Sequence, residues 1–206
     1  MPERTPNRPA ARGDVRIIGG RLRRSRLPVV PAPGLRPTPD RVRETVFNWL
    51  GQELPGWSCL DLFAGSGALG LEAASRGATR VDLVECDPTA LRALRQTCAR
   101  LGVDGVRVHA RDALQFAAQA APGSYDLVFI DPPYASALQR EALHRAAPLL
   151  AADGLAYVEA ADAAQLAQSI DPTQWLVWRS GHAGGVHYAL LRKVDLRVAQ
   201  DGSTRC

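Results

Sequence analysis

Between Ser58 and Ala160 the chain alternates short apolar runs with amphipathic stretches of helix length, and this rhythm constrains its fold more than any other feature. The runs "CLDLFA", "RVDLVEC", "VRVHAR", "YDLVFI" and "GLAYVEA" read as strands. Between them, "GSGALGLEAASRG", "DPTALRALRQTCARLG", "DALQFAAQAA" and "SALQREALHRAAPLL" read as helices. Strands alternating with helices of this length need right-handed crossovers, and hence a parallel sheet with helices packed on it. A short helix is expected at Asp162 to Gln168. Two closing runs, "WLVWRSG" and "VHYALLRKV", flank a Gly184-Gly185 turn and add one antiparallel strand.

The region before this α/β domain has a different character. Residues 1–50 hold eleven Arg against four acids, a net +7, while the other residues sum to −3. A basic arm on a mildly acidic body points to a polyanionic partner, most simply nucleic acid. The stretch "RIIGGRLRRSRLPVV" (Arg16 to Val30) reads as two extended pieces of a hairpin broken at Gly19-Gly20, the Arg/apolar alternation of "GRLRRSRL" suggesting a strand with one charged face, and Pro31 to Asp40 as a proline-stiffened connection. Asp40 to Leu50 reads as a helix capped by Asp40, with Val42, Val46, Trp49 and Leu50 on its apolar stripe. Residues 1–15 and 195–206 are expected to be a disordered leader and tail, with a basic hairpin and helix over 16–52 and the main domain over 53–194. No apolar run approaches a membrane span, and the N-terminus has no signal-peptide pattern. The four cysteines lack C-x-x-C spacing, so neither a metal site nor a disulfide framework is indicated and a cytoplasmic protein is expected.

The first strand runs into "AGSGALG", where Gly65, Gly67 and Gly70 match the G-x-G-x-x-G turn that brings backbone close to a nucleotide cofactor. Glu85, ending the second strand, is placed to accept hydrogen bonds from ribose hydroxyls. Asp112, after the third, reads as a helix N-cap, an acceptor for an adenine amine, or both at once. Nicotinamide dinucleotides and S-adenosylmethionine share this arrangement. Asp61 before the loop favours the latter, because a carboxylate there suits a sulfonium or ammonium, whereas a pyrophosphate prefers an uncluttered helix N-terminus.

The fourth strand ends in Asp131-Pro132-Pro133-Tyr134, beside the glycine loop if the first and fourth strands are neighbours. This corner resembles the D/N-P-P-Y/F/W motif of methyltransferases that modify exocyclic amines of nucleobases. Asp131 and the Pro132 carbonyl could accept the amine's two N–H bonds and free its lone pair, the prolines fixing that carbonyl, while Tyr134 stacks on the base. More specifically, "LRPTPDRVRETVFNWL", "CLDLFAGSGALGLEAASRGA" and "FIDPPY", with "RIIGGRLRRSRLPV", resemble the RsmD family of bacterial 16S rRNA guanine-N2 methyltransferases from about Arg16 to Val194. Pro39 stands where that family often has a second Thr.

The resemblance implies a class I methyltransferase fold, α/β and Rossmann-like, with seven mostly parallel strands, and S-adenosyl-L-methionine as cofactor. It implies a guanine of 16S rRNA, in an assembled or assembling small subunit, as target; the enzyme is expected to be a monomer. Cofactor contacts carry over to Asp61, Phe63, Ala64, Gly65, Gly67, Glu85, Cys86, Asp87, Asp112 and Ala113, and catalysis to Asp131, Pro132, Pro133 and Tyr134. RNA contacts are expected from Arg16, Arg21, Arg23, Arg24, Arg26, Arg36, Thr38, Arg41 and Arg43. Two alternatives stand beside this reading: a DNA adenine-N6 or cytosine-N4 methyltransferase, disfavoured by the lack of a separate target-recognition region, and a non-catalytic RNA-binding assembly factor, disfavoured by the intact DPPY.

Overall fold

A computed structural model describes residues 14–30, 38–133 and 136–194. The expectations for Arg36 and Tyr134 lie outside these residues, as do most of the leader, the proline connection and the tail. The sheet strands are β3 (Ser58–Asp61), β4 (Arg80–Glu85), β5 (Val106–Ala110), β6 (Tyr125–Ile130), β7 (Leu150–Ala160), β8 (Trp175–Ala183) and β9 (Val186–Lys193). They form one sheet in the order β5-β4-β3-β6-β7-β9-β8. β9 is antiparallel to β7 and to β8, and the other neighbouring strands are parallel. This is the seven-stranded, mostly parallel sheet expected of a class I methyltransferase.

Alternation along β6 shows why both faces must be covered. Leu127 and Phe129 join one apolar cluster, with residues of α1 (Asp40–Trp49), α2 (Ala68–Ser75) and α3 (Pro88–Leu101). Val128 and Ile130 join the other, with residues of α4 (Ala113–Gln119), α5 (Ser136–Ala146) and α6 (Ala163–Ser169). A strand buried on both sides loses its polar alternation and reads as a continuous apolar run, as "YDLVFI" does. No described helix is long and apolar enough to cross a membrane.

The basic hairpin is present with a different register. Its strands are β1 (Asp14–Arg16) and β2 (Arg26–Pro28), paired antiparallel with Val15 opposite Leu27, so Asp14 and Val15 belong to it rather than to the leader. Arg21 to Arg24, whose Arg/apolar alternation suggested a strand, form the turn instead. The reason lies in α2: the Leu22 N–H donates to the Ser75 hydroxyl and the Arg21 N–H to the Ser75 carbonyl, bonds an extended segment could not direct inward. Gly20 sits at φ +69°, where a Cβ would lie 1.9 Å from the Ser75 carbonyl oxygen. Gly20→Ala is therefore expected to destabilise the protein by at least about 1–2 kcal/mol, the left-handed penalty alone, in urea unfolding. Wild-type stability in that variant would mean that the hairpin does not dock on α2 this closely.

Asp40 is not the cap of α1 either. Pro39 occupies the N-cap position, and Asp40, one residue inside, turns its carboxylate to Arg43 Nη2 at 2.7 Å and Arg16 Nε at 3.3 Å.

Candidate active site

β3 and β6 pair in parallel with Asp61 opposite Phe129, so the glycine loop and the Asp131 corner leave the sheet side by side at its carboxyl edge. There a pocket of about 530 Å3 opens. Asp61, Phe63, Ala64, Gly65, Glu85, Cys86, Asp112 and Ala113 line one part of it, and Asp131, Pro132 and Pro133 another. Two predicted residues stand outside the lining. Gly67, at φ +79°, turns the chain into α2, and Asp87 caps α3 by accepting from the Thr89 and Ala90 N–H groups at 3.0 and 2.7 Å.

Each acid on the rim has a structural duty that fixes its aim. Glu85 accepts the Gly65 N–H at 2.9 Å and the Asp87 N–H at 2.7 Å, so it shapes the glycine loop from the neighbouring strand. Asp112 caps α4 through the Gln115 N–H at 2.9 Å and also lines the pocket. Asp61, almost fully buried, accepts the Gly70 N–H at 3.1 Å. Burial pushes its carboxyl up to about 7, against the pull of the Gly70 and Phe63 N–H groups and with a further push from Glu85 and Glu159.

Glu159, near the end of β7, is a pocket residue that the sequence reasoning missed. The residue is 8% exposed, and its carboxylate accepts the hydroxyls of Thr38 at 2.6 Å and Tyr157 at 2.8 Å. The buried Gln139 amide donates to its carbonyl. Burial raises the Glu159 carboxyl, while the two hydroxyls and the Arg43 charge pull it back. The Asp131 carboxyl is held well above the usual range, first by burial and then by the charges of Glu159 and Asp61. Three acids from the adjacent strand ends of β3, β6 and β7 thus converge on one cavity. Such a site favours a cation, whose arrival relieves all three.

The family model described as "Conserved hypothetical protein 95" matches residues 15–192. The Escherichia coli (strain K12) protein "Ribosomal RNA small subunit methyltransferase D" is 42% identical over 183 residues, covering 88% of this chain and 91% of that protein. This chain belongs to the RsmD family. The Haemophilus influenzae protein of the same name is 39% identical over 191 residues, covering 90% of this chain and 96% of its own length. Among solved structures, the Escherichia coli yhhF protein superposes with a TM-score of 0.77 at 39% identity, covering 88% of this chain and 98% of that one. TrmN from Thermus thermophilus, at 24% identity and a TM-score of 0.64, shares the fold.

In this RsmD-family chain the Arg-Pro-Thr block divides its labour between surface and interior. Arg41 is exposed, as are Arg16, Arg21, Arg23, Arg24 and Arg26 on the hairpin. Arg16 and Arg26 make ion pairs with Asp40 and Asp14 at 3.3 and 3.9 Å, exposed pairs of little strength that leave both guanidinium groups available to phosphate. Arg43 is a correction. It is fully buried, Nη2 bonded to Asp40 and to the Arg16 carbonyl, Nη1 3.6 Å from the buried Glu72, and so cannot contact RNA. Thr38 is likewise buried in the pocket wall, its hydroxyl donated to Glu159, and is no surface contact. The available signal for Glu159 was its place near the end of the apolar run "LAYVEA", since acids at the carboxyl ends of such strands face the ligand crevice.

Proposed function

We propose that this chain transfers a methyl group from S-adenosylmethionine to the exocyclic N2 amine of a guanine in 16S rRNA, within an assembled or assembling small ribosomal subunit in the cytoplasm. The observation that carries the reading is the placing of Asp131, Pro132 and Pro133 on the same pocket as the glycine loop. The names of the relatives supply the RNA, and the exposed arginines of the hairpin and α1 supply a surface for its phosphates.

The residues present fit the cofactor. Asp61, Asp131 and Glu159 offer negative charge to a sulfonium and an α-ammonium. Glu85 and Asp112 stand on the neighbouring strand ends as acceptors for ribose and adenine, and Gly65 keeps the loop free of side chain. S-adenosylmethionine supplies an electrophilic methyl carbon. Asp131 and the Pro132 carbonyl accept the amine's N–H bonds, which localises the nitrogen lone pair toward that carbon. Asp131 would take the proton that the amine loses as the methyl group passes to nitrogen and the sulfonium departs as a neutral thioether. The motif gives Tyr134, outside the described residues, the role of stacking on the base.

The Asp61 carboxyl fixes a pH dependence. It titrates at about 7 in the protein alone, and only its ionised form attracts a cation. Cofactor affinity should therefore rise from pH 6 to pH 8, by about tenfold per unit at most, then level off. Calorimetric titration at pH 6, 7 and 8 checks this; equal affinities at all three would place Asp61 away from the cofactor's charge.

The function itself is tested with labelled S-adenosylmethionine and a choice of naked rRNA, small subunits or DNA, followed by nucleoside analysis. N2-methylguanosine in the 16S RNA is the expected product. Methyladenine or N4-methylcytosine in DNA would overturn the substrate, and no transfer to any of the three would favour an assembly factor.

A further inference from the structure

The two oxygens of Glu159 stand in unequal circumstances. Oε1 accepts both the Thr38 and the Tyr157 hydroxyls. Oε2 takes no hydrogen bond from a described residue, and the side chain lines the pocket that Asp131 and Pro132 also line. The anchorage is thorough: Gln139 holds the Glu159 carbonyl, and Thr38 ties the carboxylate to the segment entering α1. β6 and β7 are neighbours with Ile130 opposite Val158, so the residues that follow this pair, Asp131 and Glu159, leave adjacent strands at the same level. A carboxylate clamped by one oxygen presents the other as a fixed acceptor, and a fixed acceptor in a pocket selects for a donor.

A guanine whose N2 amine meets Asp131 and the Pro132 carbonyl brings a second donor with it. On the Watson–Crick edge the amine is followed by N1–H. Adenine has a bare N1 beside its amine and cytosine a bare N3, each an acceptor that a carboxylate would repel. We propose that Glu159 is a specificity-determining residue whose free oxygen accepts the N1–H of the target guanine. The proposal rests on the guanine-N2 reading and deepens it: Asp131 and Pro132 address the reacting amine, and Glu159 checks the base. The competing role is purely internal, with Glu159 serving only to pin Thr38 and Tyr157.

The two roles separate in a substrate-ratio experiment with the full-length protein. Wild-type protein first locates its product guanosine in small-subunit RNA by nucleoside mapping. That position is then replaced by 2-aminopurine, which keeps the 2-amine but carries no hydrogen on N1. Wild type is expected to prefer guanine in kcat/KM by about 10- to 100-fold, the worth of a hydrogen bond to a charged acceptor. Glu159→Gln keeps the side chain's size and an oxygen for Thr38 and Tyr157, but turns an N–H donor into the pocket. It should bring the ratio close to one or invert it. Because both rates come from one preparation, the ratio is independent of the folded fraction, and loss of the 6-oxo group is common to both proteins and cancels.

Any loss of cofactor affinity from the missing Glu159 charge, measured alongside, acts equally on both RNAs and leaves the ratio untouched. A Glu159→Gln protein that slows equally on both RNAs, keeping the wild-type ratio, would overturn the proposal and leave Glu159 the internal pin. If wild type forms no N2-methylguanosine at all, the guanine reading fails first, and the role of Glu159 falls with it.

Discussion

Replacing Asp131 with alanine is expected to lower methyl transfer by about 10²- to 10³-fold, the scale on which a preorganised polar group acts at a reacting centre. Cofactor affinity should change far less, because Asp61, Glu85 and Asp112 remain. The variant is also expected to fold at least as well as wild type. Asp131 is half-buried between two other acids, its carboxyl held up by burial and by Glu159 and Asp61, so removing it relieves repulsion rather than breaking a bond. Unfolding therefore cannot account for the lost rate, and single-turnover transfer with calorimetric cofactor binding on one sample separates the two effects. Asp131→Asn keeps one acceptor oxygen but surrenders the charge and should fall between. Full turnover by the alanine variant would remove Asp131 from the chemistry and leave the DPPY corner a mere strand end.

The largest effect on stability should come from Glu72, which does not line the pocket. This side chain is fully buried in α2 and accepts the Ile18 and Gly19 N–H groups at 2.7 and 2.8 Å and Arg76 Nε at 2.7 Å, with Arg43 Nη1 3.6 Å away. Glu72→Ala leaves the buried Arg43 charge with Asp40 as its one remaining acidic partner among the described residues, its Nε and Nη1 already lacking hydrogen-bond partners, and orphans two backbone donors of the hairpin. A loss of about 3–5 kcal/mol in urea-unfolding free energy is expected. Replacing Arg43 and Glu72 together with methionine and leucine should recover part of it, because the buried Arg43 charge is then gone, while Arg76 keeps its bond to the Gln52 carbonyl. A single-variant loss below about 1 kcal/mol would show that the hairpin is held by its apolar residues Val15, Ile17 and Leu27 alone.

Much of the fold was legible because apolar periodicity encodes burial directly. The β6 strand spans the run "YDLVFI" that the sequence suggested, and the glycine loop falls between a strand and a helix. The failures share one cause. Arg43 sits in an Arg-rich block and reads as a phosphate contact; nothing local reveals the buried Glu72 of another helix that draws it inward. Thr38 and Glu159 are far apart in sequence and gain meaning only when the strand ends meet. The turn at Arg21 to Arg24 was misread for the same reason, since its docking partner is Ser75. Pattern reports which residues face a core, but not which polar groups find each other there.

The placing of β9 between β7 and β8 has a consequence for how the protein is made. Its first residue, Val186, and the preceding Gly185 line the same pocket as Val29 and Thr38. The cavity wall is thus drawn from nearly both extremes of the described chain. During synthesis the glycine loop and the Asp131 corner emerge early, yet the cavity they serve is unfinished until the last strand inserts. A nascent chain stalled before β9 can hold most of its sheet and still lack a complete place for a ligand, so competence arrives in one late step.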